Sequence, residues 1–122
     1  MASALNWFEI PSADFPRAVA FYSAVFDTQL EGVAMGDMQM AMFPYSEGGT
    51  GGAVVASAMQ QPSSSGTLVY LNANSGMDAM LERIQNAGGA VLMPRTLITE
   101  DIGYMAMFTD TEGNTVALHS SN

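Results

Sequence analysis

The chain repeats one phrase of nine residues, and this repeat limits its possible folds more than any other feature of the sequence. The copies read MAMFPYSEG at residues 40–48 and MAMFTDTEG at residues 105–113, and they are identical at six of nine positions. A phrase that recurs once per half of a short chain is typical of a duplicated supersecondary unit. We therefore predict two modules with the same order of elements.

The flanking sequence supports this prediction. An alternating apolar run and an amphipathic stretch precede each copy, and they read LNWFEIP then SADFPRAVAFYSAVF in the first half, TLVYLNA then NSGMDAMLERIQNAGG in the second. These patterns predict a strand and then a helix. Short apolar runs bounded by turn residues predict three more strands per half, at residues 29–33, 38–43 and 52–57, and at 90–93, 103–109 and 115–120.

The predicted fold class is α+β, with tandem βαβββ modules that form a curved sheet cup. The modules span residues 5–57 and 66–120, a polar Pro/Ser linker covers residues 58–65, and all belong to a single domain, residues 1–122. One module alone would leave one sheet face bare, whereas two modules can curve these faces around a shared concavity.

Local signals define several details. Ser12 or Asp14 is expected to cap the first helix, and the glycines after residue 87 are expected to end the second. Asp110 and Glu112 are expected to serve the turn of the second copy. The stretch TLITEDIG, residues 96–103, is expected to be flexible, with Arg95 paired to an acid within it.

Composition excludes several classes of function. Three arginines and no lysine face twelve acidic residues, for a net charge of −9, so the chain would repel nucleic acids and anionic membranes. There is no cysteine, and no stretch has the apolar length of a membrane span or the pattern of a signal peptide. We expect a cytoplasmic protein.

The segments FEIPSADFPRAVAFYSAVF, VYLNA, NAGGAVLMPRT and GYMAMFTDTEGNTVALHS resemble the glyoxalase/bleomycin resistance/extradiol dioxygenase superfamily, also called vicinal oxygen chelate proteins. The resemblance covers roughly residues 5–120 and is greatest for the glyoxalase-related branch. It implies a ligand-binding cup. The superfamily includes lyases, dioxygenases and non-catalytic drug binders, so the fold alone does not define an activity.

Many members bind a divalent metal, and the resemblance implies where the ligands would lie. The corresponding residues here are Trp7, Val55, Leu68 and Ala117. None of them has a side chain that coordinates a hard divalent ion or zinc. We expect no metal and no cofactor.

The alternation of strand side chains then defines the expected pocket. The predicted ligand-binding residues are Trp7, Leu68, Tyr70, Tyr104 and Ala117. Two titratable residues, Glu9 and His119, are candidate catalytic groups, as a general base and its acid/base partner. Each also has a structural interpretation, Glu9 as a carboxylate capped by tyrosine hydroxyls or backbone N–H groups and His119 as a residue that bonds a neighbouring loop and fixes a strand end. The sequence does not decide which face of the methionine-rich strands lines the cup.

Three functions are compatible with this sequence. The first is metal-free binding of a small apolar or aromatic molecule. The second is a metal-independent lyase or isomerase that uses Glu9 and His119. The third is a metal-dependent lactoylglutathione lyase or dioxygenase, against which the missing ligands argue. The expected partners are a small-molecule ligand and a second copy of the chain in a homodimer, with no nucleic acid and no membrane.

Overall fold

The computed structural model describes residues 3–122. Its elements, in chain order, are β1 (Trp7–Pro11), α1 (Phe15–Val25), β2 (Gly32–Met35), β3 (Met38–Met42), β4 (Gly51–Ala56), β5 (Tyr70–Asn72), α2 (Met77–Asn86), β6 (Ala90–Thr99), β7 (Gly103–Thr109) and β8 (Thr115–Ser120). Within this part of the chain, no helix is long and apolar enough to span a membrane.

The two halves form matching four-stranded sheets, ordered β1-β4-β3-β2 and β5-β8-β7-β6. In each sheet the first strand of the module pairs in parallel with the last strand, and the remaining pairs are antiparallel. Each sheet is therefore mixed, and the predicted α+β class with tandem βαβββ modules is confirmed.

Helix α1 begins at the expected cap. The Asp14 carboxylate accepts a hydrogen bond from the Arg17 backbone N–H at 3.1 Å, and Pro16 occupies the first turn, where its missing N–H costs nothing. Ser12 instead donates its hydroxyl hydrogen to the Val55 carbonyl oxygen. Helix α2 ends before Gly88, which has a φ of 103°, as the glycine pattern predicted.

Both modules contribute to one core. Side chains of α1 and α2 are buried together with the helix-facing sides of both sheets. The ring of Phe21 in α1 lies 6.1 Å from the ring of Phe108 in the second sheet, and Tyr22 packs edge-on at 5.2 Å against Phe43, which directly follows β3 of the first sheet. Helix α1 therefore joins the two halves.

The strand registers decide the orientation of the methionines. Met42 lies opposite Ala53, which lies opposite Glu9, whereas the neighbouring Ala41 and Val54 belong to the core beneath the helices. Since strand side chains alternate, the methionines of β3 share the sheet face of Glu9, away from α1. In the second sheet Met105 and Met107 share the face of His119 and Ala117.

The registers also correct one position derived from the repeat. Ala117 lies between Tyr70 and Met107, and the corresponding residue of the first module is Ala53, between Glu9 and Met42. Val55 instead corresponds to His119. The prediction of Val55 was therefore two residues too far along, and strand pairing rather than counting along the repeat identifies Ala53.

Two further predictions in the second half were wrong. Strand β6 continues to Thr99 and forms a hairpin with β7, so most of the stretch expected to be flexible is extended and paired. Arg95 does not pair with an acid but lies over the ring of Tyr104, 3.7 Å from its centroid. The face of the tyrosine ring attracts the guanidinium, and the β6–β7 hairpin brings the two residues together. Closeness in sequence to the acidic residues could not indicate this contact.

Candidate functional site

A large cavity lies where the first strands of the two modules approach one another. Its volume is about 900 Å³, and β1 and residues 67–72 form much of its wall. The apolar part of the lining consists mainly of Leu5, Trp7, Phe8, Ile10, Phe26, Phe43, Leu68, Val69, Leu71 and Val116. Small-molecule sites in proteins are typically concave and mostly apolar, with a few polar groups that orient the ligand.

A pair of glycines positions two aromatic walls of this cavity. Gly51 and Gly52 lie opposite Trp7 and Phe8 in the parallel pairing of β1 with β4. A Cβ atom on Gly52 would overlap the Phe8 ring, and one on Gly51 would meet Trp7 at 3.0 Å. The absent side chains therefore allow both rings to lie across the neighbouring strand.

Glu9 is half-buried in the wall of this cavity. One carboxylate oxygen accepts a hydrogen bond from the Trp7 indole N–H at 3.2 Å, and the other accepts one from the Gln60 amide at 3.0 Å. These contacts fix the carboxylate and orient the indole. The donors are side chains of Trp7 and Gln60, not the tyrosine hydroxyls or backbone N–H groups expected from the sequence.

The linker between the modules also forms part of the wall, a role that the sequence did not reveal. Gln61, Ser63 and Ser65 line the cavity, and Gln60 holds Glu9. The Ser63 backbone N–H donates to the Asn114 side-chain oxygen at 3.1 Å, which ties the linker to the second module. A polar Pro/Ser segment has no apolar period, so only its hydrogen bonds could identify this role.

A second cavity of about 430 Å³ adjoins the first. His119 lines it with Asn74, Ile98 and Ile102, and Tyr70, Leu71 and Asn72 line both cavities. A ring nitrogen of His119, Nε2, lies 2.7 Å from the Ile102 carbonyl oxygen, so Nε2 carries the hydrogen of this bond. His119 thereby fastens the β6–β7 turn.

The two candidate catalytic groups line two adjoining cavities, which share Tyr70, Leu71 and Asn72. Glu9 faces the larger cavity, and His119 faces the smaller one. Of the predicted ligand-binding residues, Trp7, Leu68 and Tyr70 line the larger cavity. Ala117 is fully buried beside Tyr70 in β8.

Tyr104 has a different position. Its register partner is Ser120, so it lies on the face of the second sheet opposite to that of His119 and Ala117. Its ring contacts Arg95 and packs against the core. The strand assignment alone could not place it, because a shift of one residue reverses the face.

The residues at the implied metal positions do not fit a metal ion. Trp7, Leu68 and Ala117 have no suitable donor, and neither has Ala53, which corresponds to Ala117 in the first module. Across residues 3–122, no three His, Cys, Asp or Glu side chains are grouped so that they could hold a metal ion. The chemistry of these side chains therefore gives no support to a metal-dependent reaction at this site.

Comparisons with known proteins agree with this architecture. The model of the Glyoxalase/Bleomycin resistance protein/Dioxygenase superfamily matches residues 4–118. A "glyoxylase-like domain-containing protein" of Didymella fabae is 28% identical over 124 residues, which cover 93% of this chain and 91% of that protein.

Solved structures show the same fold at low sequence identity. A glyoxalase/bleomycin resistance protein of Albidiferax ferrireducens T118 has a TM-score of 0.72 at 18% identity, with 95% of this chain and 97% of that one covered. TnmS3, an antibiotic binding protein of Streptomyces sp. CB03234, has a TM-score of 0.67 at 23% identity, with 99% and 98% covered. The chain belongs to the glyoxalase/bleomycin resistance protein/dioxygenase superfamily.

Proposed function

We propose that this protein binds a small apolar or aromatic molecule in the larger cavity without the aid of a metal ion. The observation that carries the proposal is the cavity itself, about 900 Å³ with aromatic and aliphatic walls, which is the size and character of a site for a drug-sized ligand. TnmS3, which has the same fold, is an antibiotic binding protein, and this supports the proposal that the present chain also binds a small molecule.

The alternative functions have less support. A metal-independent lyase or isomerase would need Glu9 and His119 at the same substrate, but these residues line different cavities. A lactoylglutathione lyase or dioxygenase that uses a metal would need ligands that its expected positions lack.

The test uses Trp7, which is the only tryptophan of the chain and lines the cavity. Titration with a panel of aromatic and aliphatic molecules should change its fluorescence saturably for at least one ligand. The Tyr70→Ala variant should bind that ligand about tenfold more weakly, because the truncation removes an aromatic wall.

Tyr104→Ala is the matched control, since Tyr104 lies on the other face of its sheet. Its affinity should equal that of the wild type once both variants are shown by circular dichroism to be folded. If no member of a broad panel changed the emission or gave heat by calorimetry, binding in this cavity would be refuted.

We also propose that two copies of the chain form a homodimer. Apolar side chains are exposed on the helix-free face of the first sheet, where Val33 and Met35 are each 54% exposed and Met42 is 42% exposed. Clustered apolar side chains of this kind mark association surfaces more often than isolated ones do.

A further inference from the structure

The larger cavity has one charged side chain in its lining, and it is an acid. Glu9 stands among apolar, aromatic, hydroxyl and amide groups, and no arginine and no histidine of the described residues lines the same space. A carboxylate that is half-buried in a mostly apolar wall loses part of its hydration, so it favours a positive partner.

The protein itself offers Glu9 neutral donors. Trp7 and Gln60 each donate one hydrogen bond, one to each carboxylate oxygen. These bonds satisfy part of the carboxylate without neutralising its charge. An ionised carboxylate has about four acceptor positions, so each oxygen keeps one position for a further donor.

The three cations of the chain are engaged elsewhere. Arg17 forms a salt bridge with Glu112 at 2.7 Å, Arg83 donates to the Val25 carbonyl oxygen at 3.0 Å, and Arg95 lies over Tyr104. Among residues 3–122, no positive side chain is therefore placed to compensate Glu9.

The walls beside Glu9 also suit a cation. The indole of Trp7 is held next to the carboxylate by its own hydrogen bond, and Tyr70 lines the same cavity. The faces of indole and phenol rings attract cations, more strongly where water is excluded. The net charge of −9 raises the local concentration of cations around the whole molecule.

We propose that the preferred ligand of this cavity is an organic cation, an aromatic or apolar body that carries a protonated amine, with the amine at Glu9 and the body against the aromatic walls. This inference rests on the proposed binding function and adds the charge of the ligand to it.

The test compares three probes that share one ring system and differ in charge. Isothermal titration calorimetry is performed with 1-naphthylmethylamine, which is cationic at pH 7, with neutral 1-naphthalenemethanol, and with anionic 1-naphthoate. The amine should bind about tenfold more tightly than the alcohol, and the carboxylate should bind most weakly. Added salt should weaken binding of the amine and leave binding of the alcohol nearly unchanged.

Glu9→Gln keeps an acceptor in the wall and removes the charge. This variant should lose the preference for the amine, with about a tenfold weaker affinity for it and an unchanged affinity for the alcohol. Glu47→Gln is the matched control, because Glu47 is exposed and lies outside the cavity. The probe series and the salt dependence use the wild-type chain, so they test the preference for a cation even if Glu9→Gln does not fold.

The outcomes distinguish the preference for a cation from the more general proposal that the cavity binds a small molecule. Equal or tighter binding of the alcohol in the wild type would overturn the cation preference and leave the proposed binding function intact. An equal loss of affinity for both probes in Glu9→Gln would do the same. If none of the three probes bound, both proposals would fail for ligands of this size.

Discussion

Two glutamates at the same position of the repeated phrase have different surroundings. Glu47, the eighth residue of the first copy, is exposed, whereas Glu112, at the same place in the second copy, has a fully buried side chain. Glu112 leaves its own turn, where Asp110 accepts the backbone N–H groups, and crosses to the first module. There it accepts hydrogen bonds from the N–H groups of Ala13 and Asp14 and from Arg17. The prediction that Glu112 serves its turn was therefore wrong.

These contacts determine how Glu112 titrates. Burial alone would raise the pKa of this carboxyl, but the hydrogen bonds from Arg17, Asp14, Thr111 and Ala13 outweigh burial and lower its pKa from 4.5 to about 2. Because the folded state binds the proton more weakly than the unfolded state does, the stabilisation is present above pH 4.5 and is lost as the pH falls toward 2.

The Glu112→Gln variant should therefore be less stable than the wild type by about 2 to 3 kcal/mol at pH 7. The difference should shrink as the pH falls from about 5 toward 2, because the Glu112 carboxyl of the unfolded wild-type chain becomes protonated over that range, whereas that of the folded chain stays ionised until the pH nears 2. Urea unfolding at a series of pH values measures both effects.

Glu47→Gln provides the matched control, since it makes the same chemical change at the exposed copy. Its free energy of unfolding should stay within about 0.5 kcal/mol of the wild-type value. A loss in Glu112→Gln that did not depend on pH would contradict the role assigned to the buried charge.

At the scale of elements, the sequence defined the order of strands and helices and missed much of what joins them. Periodicity and the duplicated phrase predicted all ten elements, because local spacing determines which face of each is apolar. The Gly52 and Phe8 packing, the position of Tyr104 and the wall formed by the linker depend on register and on contacts distant in sequence. No local pattern specifies those contacts.

Asn114 shows how one side chain joins several elements. Its amide group donates to the Pro11 carbonyl oxygen at the end of β1 and to Asp110 in its own turn, and its side-chain oxygen accepts the Ser63 N–H of the linker. Asn114 is buried, with 5% of its surface exposed, and the corresponding residue of the first copy is Gly49. The second turn therefore makes an interaction that Gly49 of the first turn, which lacks a side chain, cannot make.

Asn114→Ala should lower the free energy of unfolding by about 2 kcal/mol, because it leaves buried partners of the amide unsatisfied. It should also increase amide hydrogen exchange in the linker, residues 58–65, beyond the global change. Asn86→Ala, at an exposed position near the end of α2, should do neither. Unchanged exchange in the linker would show that Asn114 does not hold this wall of the cavity.

At the scale of the whole molecule, the two modules use their sheet faces differently. The faces toward the helices merge into one core, to which both halves contribute. On the other side, Met40 of the first sheet and its counterpart Met105 are both half-buried. Met107 of the second sheet is half-buried too, whereas its counterpart Met42 is exposed, as is Met35. Burial of the exposed methionines against a partner would therefore be favourable.

The homodimer proposal predicts how this surface responds to a change of polarity. The wild type should sediment with twice its chain mass of 12.9 kDa, and the double variant Met35→Gln/Met42→Gln should sediment as a monomer at the same concentration. Glutamine has nearly the volume of methionine and leaves the net charge at −9, so a change in association reports the lost apolar contact rather than altered repulsion. Met59→Gln is the control, because Met59 is 91% exposed and lies in the linker region, and it should remain dimeric. A monomeric wild type would refute the dimer, and a double variant that stayed dimeric would move the interface away from the first sheet.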